Sequence, residues 1–380
     1  MRVLYIFRSI ALWGGIERIL VDKMNYLADR CRFDVYLLTC DQGNHPVTFR
    51  LSERVNHEDL NICFYRQYEY HGLKRLFIAC RMARDYEELM ADKLSIIQPD
   101  IIVTTTSDRL NTIAKLKGSI PLVVESHSIC YRTLNVKRNW LLRIIHRNRL
   151  LSGLKKANVI VALTEGDASE WRKYHSNVVV IPNFVHKHRE CLSTLKSKNA
   201  VFVGRFDYQK RAQDAILIWK MVRERHPDYI LHIYGDGEMR NEVVSLASSV
   251  GGIIVHQPTN DIFNVYKGCS FLISTSLFEP FGLVIPEAMS CGLPVVAFDC
   301  CYGPAEFIDD NKNGFLVKEY DVLFFVERVC DLIENDELRY NMGRAALLSS
   351  TRYNVDYIMQ MWLHFIKSLV FNERFRCKLS

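Results

Sequence analysis

Residues 274–298 read STSLFEPFGLVIPEAMSCGLPVVAF, and this stretch decides the fold. An apolar strand ending at Ser274 gives way to a loop holding Glu279, Pro280, Phe281 and Gly282. A short helix with Pro286 at its first position follows, where the missing N–H is not needed, and Glu287 in its first turn complements the positive end of the helix dipole. Gly292 marks the helix stop, and Leu293 to Phe298 reads as the next buried strand. Gly282 lets the backbone come close to a ligand, and free N–H groups beside it make an anion seat, with phosphate the first candidate.

Two carboxylates with seven residues between them beside such a seat would repel a phosphate unless each has another task. An ionised carboxylate accepts two hydrogen bonds from a sugar diol, so phosphate seat and carboxylates together suggest a nucleotide sugar. Taken alone, Glu279 reads equally well as a solvated loop residue and Glu287 as an ordinary helix-start carboxylate.

The run EPFGLVIPEAM followed by GLPVV closely resembles the E-x7-E signature of the retaining family 4 glycosyltransferases, which have the GT-B fold. The resemblance implies an α/β chain of two Rossmann-like, doubly wound parallel-sheet domains facing across a cleft. It implies that Glu287 binds the nucleotide ribose, that Glu279 contacts the donor sugar, and that the backbone of Phe281, Gly282, Leu283 and Val284 faces sugar and diphosphate.

At 380 residues the chain is too long for one ordinary core. The expected division is 1–185 for the acceptor-side domain, 186–352 for the donor domain and 353–380 for a final helix crossing back to the first. No apolar run approaches the roughly 20 residues of a membrane span, and the first seven residues read as a strand rather than a signal peptide, so the expected location is the cytoplasm, free or peripheral on the inner face of the cell membrane. The 12 cysteines are scattered with no C-x2-C pair, which favours reduced thiols over a zinc site or a secreted framework. Residues 1–190 carry 29 basic against 20 acidic side chains, a net +9, whereas 191–380 carry 20 against 23, a net −3. The basic half calls for an anionic partner, either a membrane surface or a phosphate-bearing acceptor.

In the first half, strands are expected at Arg2–Phe7, 33–39, 101–105, 121–125, 158–163 and 178–181, with helices at 18–28 and 73–94 and an uncertain strand near 61–65. Alternating strands and helices imply a parallel, doubly wound sheet. The stretch Leu12–Glu17 holds the turn Gly14-Gly15, a plain tight turn by itself; GGIER resembles the family loop between donor phosphates and acceptor, which makes Gly15 a donor-side residue. His127 stands where a strand finishes, at the edge where ligands gather in this fold class. A lone His is more often structural, but the resemblance implies that His127 faces the donor sugar. Thr164-Glu165-Gly166-Asp167 resembles the family's T-x-x-D turn and reads equally as a Thr N-cap.

Between 131 and 156 there are eight Lys or Arg, among them Lys137, Arg138, Arg143 and Arg149, and no acid. Interleaved with Trp140, Leu141, Leu142, Ile144 and Ile145, they fit an amphipathic helix on an anionic membrane. A domain helix with a solvated basic face fits equally well. No nucleic-acid module is present.

In the second half, 186–198 reads as linker and Ala200–Val203 as a strand running into GRFDYQKR. Arg205 and Lys210 after Gly204 suit a diphosphate, and joined to E-x7-E they resemble the family's G-R…K element. Gly235-Asp236-Gly237 lacks a dinucleotide fingerprint and resembles the family's G-x-G turn. The loop 257–260 falls where the family contacts the base, and Tyr302–Ile308 matches a G-x-x-E turn loosely.

The expected activity is transfer of a sugar, with retention, from a nucleotide sugar, most simply a UDP-sugar, to a glycan or lipid-linked acceptor in cell-surface polysaccharide or lipopolysaccharide synthesis. Glu279, His127, Arg205 and Lys210 are the expected catalytic set. No cofactor and no metal are expected, since the chain has no D-x-D motif. The alternatives are a sugar-nucleotide epimerase or hydrolase of the same fold, and a non-catalytic sugar-nucleotide-binding subunit.

Overall fold

In the computed structural model, all residues are described except 13, 107–108, 137–138, 187–188 and 379–380, and side chains are not described at 189 or 372–378. Trp13 of the glycine turn, Lys137 and Arg138 of the basic segment and two residues of the expected linker thus lie outside the described residues. The chain divides into two compact units, one of residues 1–181 and 359–380, the other of residues 182–358.

The first unit holds strands β1 (Arg2–Ile6), β2 (Asp34–Thr39), β3 (Val55–Asp59), β4 (Ile101–Thr105), β5 (Leu122–Glu125), β6 (Val159–Ala162) and β7 (Val178–Val180). They form one sheet in the order β3-β2-β1-β4-β5-β6-β7, every pair parallel. The second unit holds β8 (Asn199–Val203), β9 (Ile230–Tyr234), β10 (Ile253–His256), β11 (Phe271–Ser274), β12 (Val295–Asp299) and β13 (Gly314–Lys318). Its sheet is also wholly parallel, in the order β10-β9-β8-β11-β12-β13. Both reverse direction between their first and fourth strands, the doubly wound arrangement in which loops at the carboxyl ends of the strands flank a ligand crevice. The central strands are unbroken apolar runs such as Leu122-Val123-Val124 and Val295-Val296-Ala297-Phe298, fully buried because helices cover both faces.

Three local expectations are corrected. The strand near 61–65 is absent; Val55–Asp59 (VNHED) is the edge strand and Phe64–Glu69 a 3-10 turn. An edge strand needs only one buried face, so its single apolar residue, Val55, suffices. The first helix begins at Gly15 rather than residue 18; it runs to Asn25 and continues as a π-helical segment over Tyr26–Arg30. Pro286 is the third residue, not the first, of the helix Val284–Ser290, a position where its absent N–H is still one of those a helix start leaves unpaired.

The last helix, Val355–Lys378, buries Ile358, Met359, Trp362, Ile366 and Val370. No helix of the described residues is long and apolar enough to cross a membrane.

Candidate active site

In the second unit, the loops after β8, β9, β11 and β12 meet through glycines. Gly204 follows β8, and a side chain there would press on the aliphatic stem of Lys210 at 3.1 Å. A Cβ on Gly235 would lie 1.9 Å from the Gly204 carbonyl oxygen, and one on Gly237 2.6 Å from that of Phe206. The G-D-G turn therefore packs directly on the Gly204–Phe206 turn, tied by Phe206 N–H to the Asp236 carbonyl at 2.8 Å. Asp207 Oδ1 then accepts the N–H groups of Gln209 and Lys210, each at 3.0 Å, and turns the chain so that Lys210 points inward.

Lys210 Nζ is paired with Glu279 Oε1, and the same oxygen accepts the Ser276 hydroxyl at 2.7 Å. The pair is sequestered, with the Lys210 side chain 13% exposed and Glu279 4%. The backbone of Glu279 is fixed by the loop after β12: its N–H donates to Cys301, and its carbonyl accepts from Tyr302 and Gly303 at 2.9 Å each. Gly303 is required there, since a Cβ would sit 2.3 Å from the Phe281 carbonyl oxygen and 2.8 Å from Glu279 Cβ.

Gly282 has φ +84°, the left-handed backbone that favours glycine. Among the described residues the N–H groups of Gly282, Leu283 and Val284 donate no backbone hydrogen bond, so three donors follow Glu279 in the chain. The Phe281 ring faces the interior, edge-on to Phe307 and Tyr353 at centroid distances of 4.8 and 5.9 Å, and anchors the turn. Glu287 is buried and is reached by the Tyr266 hydroxyl at 3.4 Å. Arg205 is on the surface, 65% exposed, bonded to Asp207 at 3.1 Å and Gln209 at 3.3 Å. Such exposed pairs are worth about 0–1 kcal/mol, so the guanidinium can exchange partners at little cost. At the ends of β9 and β10, the His256 ring stacks on Tyr234 at 4.2 Å and bonds His232 at 2.9 Å; burial lowers the pKa of both histidines.

The structure thus brings Gly204, Lys210, Glu279 and Gly282 to one place in the second unit. Gly15 and His127 belong to the first. Gly15 opens the helix after β1, preceded by Gly14, where a Cβ would collide with Glu17 Oε2 at 2.1 Å.

His127 follows β5 and is buried. Its Nε2 lies 3.0 Å from Glu125 Oε2, which also receives Lys23 Nζ at 2.6 Å, with both charged side chains 1% exposed. Burial pushes the Glu125 carboxyl up, but Lys23 and His127 outweigh it and hold the group at about 2. Burial lowers Lys23 while Glu125 opposes that shift, and the Trp362 ring covers the ammonium at 3.8 Å. Asp167 supports the same loop. Its N–H is capped by Thr164 at 3.3 Å, and its carboxylate takes the Cys130 N–H at 2.8 Å with the Ser126 hydroxyl and Trp171 indole at 3.0 Å each. The T-x-x-D turn is therefore a helix cap whose Asp braces the His127 segment.

Sequence reasoning missed Lys23, Glu125, Ser276 and Gly303. Ser276 carried a local signal, a hydroxyl three residues before Glu279, and Gly303 only a loose turn match. One grouping of His, Cys and Glu close enough for a metal occurs among the described residues, His226, Cys330 and Glu334, but its carboxylate already bridges Arg225 and His226.

Two doubly wound units, one presenting a buried Lys–Glu pair beside a glycine turn with open N–H groups, define a GT-B type glycosyltransferase architecture. Residues 13–189 match the family described as Glycosyltransferase Family 4, and residues 186–348 match Glycosyl transferases group 1. The two matches adjoin and span most of the chain, which belongs to this family of glycosyltransferases. An uncharacterized glycosyltransferase of Haemophilus influenzae is 26% identical over 94% of this chain and 98% of its own length. The amylovoran biosynthesis glycosyltransferase AmsD of Erwinia amylovora is 25% identical over 95% of this chain and 98% of its own. Among solved structures, HepE of Anabaena in complex with UDP shares the fold with a TM-score of 0.73 at 18% identity, covering 97% of this chain and all of that one.

Proposed function

We propose that the chain transfers a hexosyl unit, with retention of anomeric configuration, from a nucleotide sugar, first a UDP-sugar, to a glycan or lipid-linked acceptor in cell-surface polysaccharide or lipopolysaccharide assembly. The observation that carries this reading is the sequestered Lys210–Glu279 pair next to the open N–H groups of Gly282, Leu283 and Val284. In this reading the donor diphosphate takes Lys210, the exposed Arg205 and the loop donors, while Glu279 accepts sugar hydroxyls and Glu287 the ribose hydroxyls. His127 supplies a polar contact to a substrate hydroxyl. The bond from anomeric carbon to phosphate oxygen breaks as the acceptor oxygen bonds to the same face, and the acceptor proton passes to the departing phosphate. Cations and preorganised N–H donors aimed at that phosphate stabilise the charge as it develops, with no metal assigned a part. A relative that makes amylovoran and a fold neighbour that holds UDP support donor and pathway.

The test is donor turnover with UDP-, GDP- and ADP-sugars, reading nucleotide release and the anomer of the sugar product by NMR. Release from UDP-sugars with the donor's anomer retained is expected; no release from any donor, or an inverted product, contradicts the proposal.

We further propose that the first unit meets an anionic membrane. The helix Trp140–Leu154 buries only Leu150, Gly153 and Leu154, leaving Trp140, Leu141, Leu142, Ile144 and Ile145 exposed beside Arg143 and Arg149. The helix Gly72–Ile97 is likewise buried only from Tyr86 onward, with Leu73, Leu76 and Phe77 exposed beside Lys74 and Arg75. In a parallel sheet both helices run back along the strands, so both exposed starts stand at the carboxyl edge. Exposed apolar groups beside basic ones at that edge suit anionic headgroups.

A further inference from the structure

The Lys23–Glu125 pair is the most deeply buried charge cluster that the reading above leaves without a task. The two residues lie 102 positions apart and meet through the fold, Lys23 from the helix after β1 and Glu125 from the end of β5. Buried pairs of this kind are weak contributors to stability, because desolvation of two ions offsets their attraction. The cluster is also lopsided. Glu125 Oε2 takes both Lys23 and His127, while Oε1 is buried with no hydrogen-bond partner among the described residues, and the Tyr5 hydroxyl is buried without one as well. A merely structural carboxylate would be expected to satisfy both oxygens.

What the arrangement does is constrain His127. An ionised carboxylate can only accept, so the ring nitrogen facing it, Nε2, must carry a hydrogen. Nδ1 makes no hydrogen bond among the described residues. In the neutral ring, fixing the proton on one nitrogen makes the other an acceptor.

We propose that Glu125, anchored by Lys23 beneath the Trp362 ring, is a positioning residue that holds His127 with its proton on Nε2 and presents Nδ1 as the acceptor for a substrate hydroxyl. This rests on the reading that His127 meets substrate. Carboxylates that orient a histidine in other proteins fix its tautomer in the same way, and their loss costs about 10- to 100-fold at metal-bound histidines and about 10⁴-fold in a catalytic triad.

The experiment combines long-range proton–nitrogen NMR of the histidines, with His127 assigned from the His127→Gln spectrum, and donor turnover. The expected wild-type result is an Nε2–H tautomer at His127. In Glu125→Gln, whose amide can donate or accept, a tautomer mixture is expected, with kcat lowered about tenfold or more and the KM for donor little changed. Because Glu125→Gln strands the Lys23 charge, the double variant Glu125→Gln/Lys23→Met is made alongside. It should regain wild-type melting without regaining kcat or the single tautomer, which a purely structural pair would not do. An Nδ1–H tautomer in the wild type, or a folded double variant with wild-type kcat, overturns the proposal. Should no donor be turned over while the tautomer behaves as expected, the positioning role stands and the transferase reading falls.

Discussion

Replacing Lys210 by Met removes one partner of a pair that the fold has taken out of water. Glu279 then keeps the Ser276 hydroxyl but loses its counter-ion. Stranding a buried charge in this way costs about 3–5 kcal/mol, and the surviving hydroxyl bond places this site at the lower end. For a unit of this size about 3 kcal/mol lowers Tm by roughly 6–12 °C. Glu279→Gln should cost a similar amount by stranding the ammonium. The double variant carries no buried charge here, so its loss should fall short of the sum of the singles by about 2 kcal/mol, within the range seen for contacting groups. Scanning calorimetry of the four proteins at neutral pH measures each quantity. A Lys210→Met variant melting within about 3 °C of wild type, or strictly additive losses, would refute the claim that the two groups form one desolvated unit.

Gly303→Ala should destabilise by about 1–3 kcal/mol, the usual cost of overpacking, because its methyl meets the Phe281 carbonyl and displaces Glu279; thermal melting with donor turnover checks both effects. Burial outweighs three hydrogen bonds and raises the Asp167 carboxyl to about 6. The protonated form is thus favoured in the folded state, and its contribution, present in full below about pH 4, is lost as pH rises through 6. Up to about 3 kcal/mol is involved, and urea unfolding of Asp167→Asn should lack that part of the pH dependence. Glu125 has the opposite sign: held at about 2, it stabilises above the usual carboxylate range and loses that contribution as pH falls from about 4.5 toward 2. Arg143→Glu/Arg149→Glu and Trp140→Ala should each reduce flotation with phosphatidylglycerol vesicles while leaving donor turnover in solution intact; binding that survives the charge reversal argues against the membrane surface.

The second unit was legible because its signals are local. Glu279, Gly282 and Glu287 fall within nine residues, and Gly204, Arg205 and Lys210 within seven, so strand ends and turns place them without long-range information. The buried parallel strands were legible from their apolar runs. Val55–Asp59 was not, because an edge strand with four polar residues out of five carries no periodic signal. Lys23 and Glu125 were hidden for a different reason: a lysine on an amphipathic helix reads as solvated until the fold brings a carboxylate 102 residues away over it. Gly303 was taken for a loose motif match, whereas the structure makes it the contact that fixes Glu279. Pro286 was displaced by two positions because helix starts tolerate proline throughout their first turn.

The central claim, that the second unit holds a nucleoside diphosphate through Lys210 and Glu287, is tested most directly by calorimetric titration of UDP into wild type, Lys210→Met and Glu287→Ala. The expected result is one site in the wild type, weakened in Lys210→Met by about 10- to 100-fold, the effect of losing one hydrogen bond to a charged group, and clearly weakened in Glu287→Ala. Equal affinity in all three proteins, or no binding of UDP, GDP or ADP to the wild type, would contradict it.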